Sequence, residues 1–207
     1  MAIIAIIEGQ SGTGKTSSLR NFSGDEVAVA NVSKKPMPFR SQLRTLSSND
    51  YTSIAKFLLS CKEPSIVIDD ATYLMAHQFF VSDKSGYDKF DSIGKNFYNL
   101  LTIASSLPEY KIVYIIGHNS MNEAGHEHFK TVGKMVDNYI TVEGMATIVL
   151  KTVVKEGSYY FQTHNNGYDT VKTPIGMFED DLIPNDLKMV DDVIREYWNI
   201  PRPAPEA

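Results

Sequence analysis

The chain has 207 residues, of which 43% are hydrophobic and 22% charged, with a formal net charge of −5. This length supports one sizeable core, and residues 1–198 read as a single domain. The acidic balance excludes a protein that coats nucleic acid by bulk charge, so any DNA or RNA contact must come from local basic loops.

Ala2 to Ile7 is a β-branched run, the pattern of a strand buried on both faces of a parallel sheet. It is short, lacks a basic flank and runs into a glycine-rich turn, so it reads as a strand and not as a signal peptide. Lys15 to Asn21 should open a helix, and Val27 to Val32 reads as a second strand. Ser33 to Ser48 is expected to be a polar connection, since Pro36 and Pro38 forbid regular helix there. Asn49 or Asp50 can cap a helix that runs to about Ser60. Cys61 is the only cysteine, which excludes an intramolecular disulfide and favours a cytoplasmic setting.

Ser65 to Asp69 is a third strand, followed by a helix from Ala71 to Val81, a loop to Asp88, and a long amphipathic helix from Phe90 to Ser106. Lys111 to Gly117 is a fourth buried strand that ends on His118 and Asn119. Ser120 to Gly133 lacks periodicity and reads as a mobile loop. Ala146 to Val154 and Tyr159 to His164 flank a Lys155-Glu156-Gly157-Ser158 turn and read as a β-hairpin, in which Tyr159, Tyr160 and Phe161 serve packing. Asn185 should cap a last helix through about Trp198, and the proline-rich tail 199–207 reads as disordered. Strands alternating with helices, then a β-rich end, predict an α/β fold with a mainly parallel sheet flanked by helices. No apolar run approaches the roughly 20 residues that span a bilayer.

Gly9-Gln10-Ser11-Gly12-Thr13-Gly14-Lys15-Thr16 fits G-x-x-x-x-G-K-[ST] at every position, between a predicted strand and a predicted helix. Glycines let backbone N–H groups fold inward around phosphate oxygens at the positive end of the helix, and Ser17 extends that set. Lys15 can reach the β- and γ-phosphates, and the Thr16 hydroxyl is placed to ligate magnesium. Ile66-Val67-Ile68-Asp69-Asp70 is an apolar strand ending in two carboxylates. Asp69 is the candidate magnesium ligand. Asp70 stands where many such enzymes place the glutamate that activates water, one methylene shorter. His118, at the end of a later strand, is the candidate γ-phosphate sensor. This chain order suits the additional-strand ATPases better than the small-molecule kinases, whose lid arginines have no clustered counterpart here.

With GQSGTGKT at 9–16, IVIDD at 66–70, IIGHN at 115–119, YDTVKTPIGMF at 168–178 and IPNDL at 183–187, the chain resembles a family. It is similar to the small phage-encoded, single-domain RecA-like ATPases, including Sak-type recombination and single-strand-annealing proteins. The resemblance runs from about residue 2 to residue 198. It implies a phosphate-loop NTPase fold with a RecA-like core, ATP and magnesium as cofactors, and hydrolysis. It also implies a homo-oligomeric ring or filament acting on single-stranded DNA in the host cytoplasm, alongside a phage replication or single-strand-binding protein. A basic residue reaching the neighbour's phosphates is implied as well, for which Lys172 is the candidate. One departure stands out, because Asn31 and Ser33 occupy the place of the usual catalytic glutamate after the second strand. The alternative is a nucleotide-dependent loader that remodels a protein partner.

Two segments are candidate DNA contacts. Lys34, Lys35, Arg40 and Arg44, with Phe39 among them, form a basic loop able to grip phosphates and stack a base. Lys130 and Lys134 lie in the second. His126 and His128 with Glu123 and Glu127 do not give the one-face spacing of a zinc site.

Overall fold

The computed structural model describes residues 1–133, 136–137 and 141–202. Lys134 and the end of the proline-rich tail lie outside them. Within the described residues the first strands are β1 (Ile3–Glu8), β2 (Val27–Asn31), β3 (Arg44–Ser47), β4 (Ser65–Asp69) and β5 (Ile112–Gly117). They are followed by β6 (Asn119–Met121), β7 (Glu127–Phe129), β8 (Ile148–Lys155), β9 (Ser158–Gln162) and β10 (Leu182–Pro184). The helices are α1 (Tyr51–Ser60), α2 (Thr72–Val81), α3 (Gly86–Ser105) and α4 (Leu187–Tyr197), with a 3-10 helix at Thr16–Asn21.

The main sheet has eight strands in the order β10–β9–β8–β1–β5–β4–β2–β3. From β8 to β3 all neighbours are parallel, and β9 and β10 add an antiparallel margin. The fold is therefore α/β with a mainly parallel sheet, as the alternation of elements predicts. Among the described residues, no helix is long and apolar enough to cross a membrane.

Period-two alternation divides the core into two halves. Ile4, Ile6, Ile66, Ile68, Val113 and Ile115 face α1, α2 and α3, meeting Ile54, Leu58, Leu74 and Phe97. Ala5, Ile7, Val29, Val67, Tyr114 and Ile116 face the other way, onto Leu19 and Phe22 and onto Leu187, Val190 and Ile194 of α4. Burial on both faces explains the unbroken apolar runs. Helix α4 is also pinned by a buried network. Arg195 Nε donates to Asp191 at 2.8 Å, while Asp191 accepts from Ser65 Oγ at 2.5 Å and from the Tyr114 hydroxyl at 3.0 Å.

Several expectations are corrected. The connection Ser33–Ser48 contains β3, a short edge strand on β2 with only Leu46 partly buried. The mobile loop expected at 120–133 contains the β6–β7 hairpin, whose Phe129 is buried under Phe97 of α3. Helix α3 starts at Gly86, four residues before Phe90, and the helix after the glycine-rich loop is 3-10. The β8–β9 turn is only Glu156-Gly157, both with positive φ (52° and 77°), as a tight two-residue hairpin turn requires. Asp50 caps α1 by accepting from Ser53 N. The cap of α4 is Asp186, one residue after the expected Asn185, and its side chain accepts from Lys188 N and Met189 N.

Candidate functional site

The sheet order places β1 near the centre, so the Gly9–Thr16 loop emerges between two groups of strands. The C-terminal ends of β1, β2, β4 and β5 open into a cleft of about 720 Å³. Gly9 is dictated by packing, because a side chain there would collide with the Thr152 hydroxyl of β8. That hydroxyl meets Thr13 Oγ1 at 2.5 Å and donates to Glu8 O at 3.2 Å, so the loop is fastened to β8. Gly14 has φ of 92° and leaves room for the Tyr159 ring.

Lys15 is buried, and its ammonium donates to the carbonyls of Gly9 at 2.9 Å and Gln10 at 2.8 Å. Burial lowers its pKa, and the nearby carboxylates of Asp70 and Asp69 oppose the shift. Thr16 Oγ1 donates to both oxygens of Asp69, at 3.1 and 3.0 Å, joining residues 53 apart in sequence. Asp69 is 3% exposed. Burial and then the Asp70 charge push its pKa up to about 6, against the Thr16 hydrogen bond and Lys15.

Asp70 sits on the turn after β4 with φ of 60°, a strained conformation for a residue bearing a Cβ. Ala71 N donates to Ile116 O at 2.8 Å and holds that turn against β5. The Asp70 carboxylate lies 3.7 Å from His118 Nε2. Tyr73 stands edge-on to the His118 ring at 5.5 Å, and Lys35 Nζ lies 5.5 Å over the Tyr73 ring. Burial and then Lys15 lower the His118 pKa, while Asp70 raises it.

The predicted loop, Asp69, Asp70 and His118 thus meet in one cleft. Asn31 and Ser33 line it as well; Asn31 Nδ2 donates to Lys35 O at 2.7 Å, and Ser33 Oγ donates to Asn31 Oδ1 at 3.3 Å. Among the described residues lining it, Asp69 and Asp70 are the carboxylates. Lys172 is not in this group. It is exposed on a segment whose backbone pairs with Val149 of β8.

The basic loop does not present one surface. Lys35 turns into the cleft, Arg44 pairs with Glu63 at 3.2 Å over the Phe57 ring, and Phe39 packs into the core half beside α4. Lys34, Arg40 and Lys130 are exposed. His126 stands against Tyr168, His128 against Ser120, and Glu127 against Lys151.

Residues absent from the sequence reading of the site also line the cleft: Arg20, Tyr73, Tyr159 and Asn185. Tyr159 was expected only to pack in the hairpin, yet it rests on Gly14 half-exposed. Beneath the loop, Glu8 is fully buried, with Thr170 Oγ1 reaching both it and Glu143. Burial and then the Glu143 charge push the Glu8 carboxyl up to about 8.

Neither the protein-family models nor the curated proteins match this chain.

Proposed function

We propose that this chain binds ATP with magnesium and hydrolyses it as a phosphate-loop ATPase with a RecA-like core. In this reading it acts as a homo-oligomer on single-stranded DNA, in phage recombination or replication. The observation that carries the reading is the bond from Thr16 to both oxygens of Asp69, directly beside Lys15. A hydroxyl and a buried carboxylate form an all-oxygen donor set, which suits magnesium. When bound, the ion neutralises charge on the β- and γ-phosphates.

The chain's own residues have separable tasks. The backbone N–H groups of residues 12–17 hold phosphate oxygens at the start of the 3-10 helix. Lys15 turns from the carbonyls of Gly9 and Gln10 to the β- and γ-phosphates. Asp69 is engaged by Thr16, which leaves Asp70 as the carboxylate able to take a proton from the attacking water. The left-handed turn at Asp70 aims that carboxylate toward His118, which senses the γ-phosphate. Strand β5 stands between β1 and β4, the insertion for which the additional-strand ATPases are named. Lys172, exposed on the β8 side, is suited to meet a neighbouring subunit.

One observation favours a second reading, a loader that remodels a protein partner. Arg44 and Phe39 of the basic loop are occupied within the fold, which weakens its grip on DNA. Phosphate release measured with and without single-stranded DNA separates the two. Stimulation by DNA supports the first reading, and indifference to DNA with stimulation by a protein partner supports the second. Phosphate transfer to an added nucleoside would overturn both. Lys172→Ala should slow turnover of the assembled form and leave nucleotide affinity unchanged; an unchanged assembled rate would remove Lys172 from the site.

A further inference from the structure

The flank of the cleft opposite Asp69 and His118 carries groups that phosphate and metal chemistry leaves unused. Tyr159 is the second residue of β9 and is 49% exposed, with ring carbon Cδ1 3.0 Å from where a side chain on Gly14 would begin. Asn185 follows β10 and meets the same point with its Oδ1 at 3.1 Å. It is only 4% exposed, and its Nδ2 donates to nothing among the described residues. A buried amide nitrogen without a partner is costly unless something else supplies the acceptor.

Asn185 is held in place by its backbone. Its N–H donates to Tyr159 O at 3.2 Å, and its carbonyl accepts from Arg20 Nη1 at 2.7 Å. Arg20 Nη1 also donates to Ser17 O at 3.1 Å, which ties this corner to the helix that follows the loop. The adjacent Asp186 does the capping of α4, so the Asn185 side chain is not needed there.

We propose that Tyr159 and Asn185 form a nucleobase subsite of the cleft, selective for purine nucleotides. The proposal rests on the nucleotide reading above. A triphosphate whose terminal end lies at Asp69 and Asp70 extends along Gly14 to Ser17 and delivers its base to the Arg20–Asn185–Tyr159 corner. Tyr159 turns off Gly14 and offers its ring as a stacking face, on which a purine covers more area than a pyrimidine. Turning it uncovers the Asn185 amide, whose unpaired Nδ2 then donates to a ring acceptor of the base. Arg20 remains on the two carbonyls and fixes the corner.

The test measures binding of ATP, CTP and inorganic tripolyphosphate by calorimetry, for the full chain with magnesium and for three variants. In the unsubstituted protein, ATP should bind at least about tenfold tighter than tripolyphosphate, with CTP between them. Tyr159→Ala should bring ATP close to tripolyphosphate, Asn185→Ala should lose several-fold for ATP and nothing for tripolyphosphate, and Tyr159→Phe should behave like the parent. Unchanged tripolyphosphate affinity in each variant shows that the fold and loop survive. Equal affinity for ATP and tripolyphosphate in the parent, or an ATP preference untouched by Tyr159→Ala and Asn185→Ala, overturns the proposal. Failure of the parent to bind any of the three overturns the nucleotide reading instead.

Discussion

On one flank of the cleft, Asp69 and His118 leave β4 and β5, strands in which every residue is buried. On the other, Tyr159 and Asn185 come from the antiparallel margin, where β9 begins exposed and β10 is three residues long. The first flank cannot shift without disturbing both halves of the core, so it suits groups that must be held to a fraction of an ångström for proton transfer and metal ligation. The second can turn a side chain at little cost, which suits recognition of a ligand portion that does not react. The difference teaches that, on the proposed reading, chemistry and recognition fall to regions of unequal packing, with the glycine-rich loop between them.

The largest effect should come from the centre, where neither flank compensates. Lys15→Ala should weaken ATP binding more than a hundredfold, and retained micromolar affinity in a calorimetric titration would remove the loop from the site. Next, the stiff flank should govern rate and the soft flank affinity. Asp70→Asn should lower phosphate release on the order of 10²-fold or more while leaving ATP affinity within a few-fold. Tyr159→Ala should do the reverse, and if both variants change the same constant the division between flanks fails.

The effect furthest from the ligand concerns the support under the loop, and it is read in stability. With its pKa raised from 4.5 to about 8 by burial and Glu143, Glu8 keeps in the folded state a proton that the unfolded chain releases. Folded protein therefore binds more protons between these values, and stability falls as pH rises from about 4.5 to 8. Glu8→Gln should flatten that slope and stabilise the protein at pH 8 by an amount on the order of a few kcal/mol. Denaturant midpoints at pH 5.5 and pH 8 measure it; a slope identical to the parent's would mean that another group holds the proton.

The stiff flank was legible in the sequence because strands buried on both faces leave unbroken apolar runs, and because Asp69, Asp70 and His118 follow those runs directly. The loop was legible for a similar reason, since its glycines answer to local backbone geometry and to one close neighbour. The soft flank was hidden. Tyr159 sits in a run of aromatics where Phe161 packs into the core, and only the tight turn at Glu156-Gly157 brings it onto Gly14. Asn185 has the composition of a helix cap, but the cap falls one residue later, at Asp186. Strand β3 escaped because an edge strand needs no apolar pattern. The β6–β7 hairpin escaped because its buried apolar anchor, Phe129, finds its partner Phe97 more than thirty residues away along the chain.

Thr152 has a consequence for anyone who would re-engineer this loop. It presses on Gly9 at the loop's first residue and holds Thr13 at its fifth, yet it lies more than a hundred residues downstream in a strand with no motif of its own. Libraries that vary only residues 9–16 therefore explore shapes around a fixed template, and the template is carved by β8. Trimming Thr152 to Ala removes the hydroxyl that a side chain at position 9 would meet, whereas Ser keeps it, and at φ of 158° an alanine at position 9 stays strained in either background.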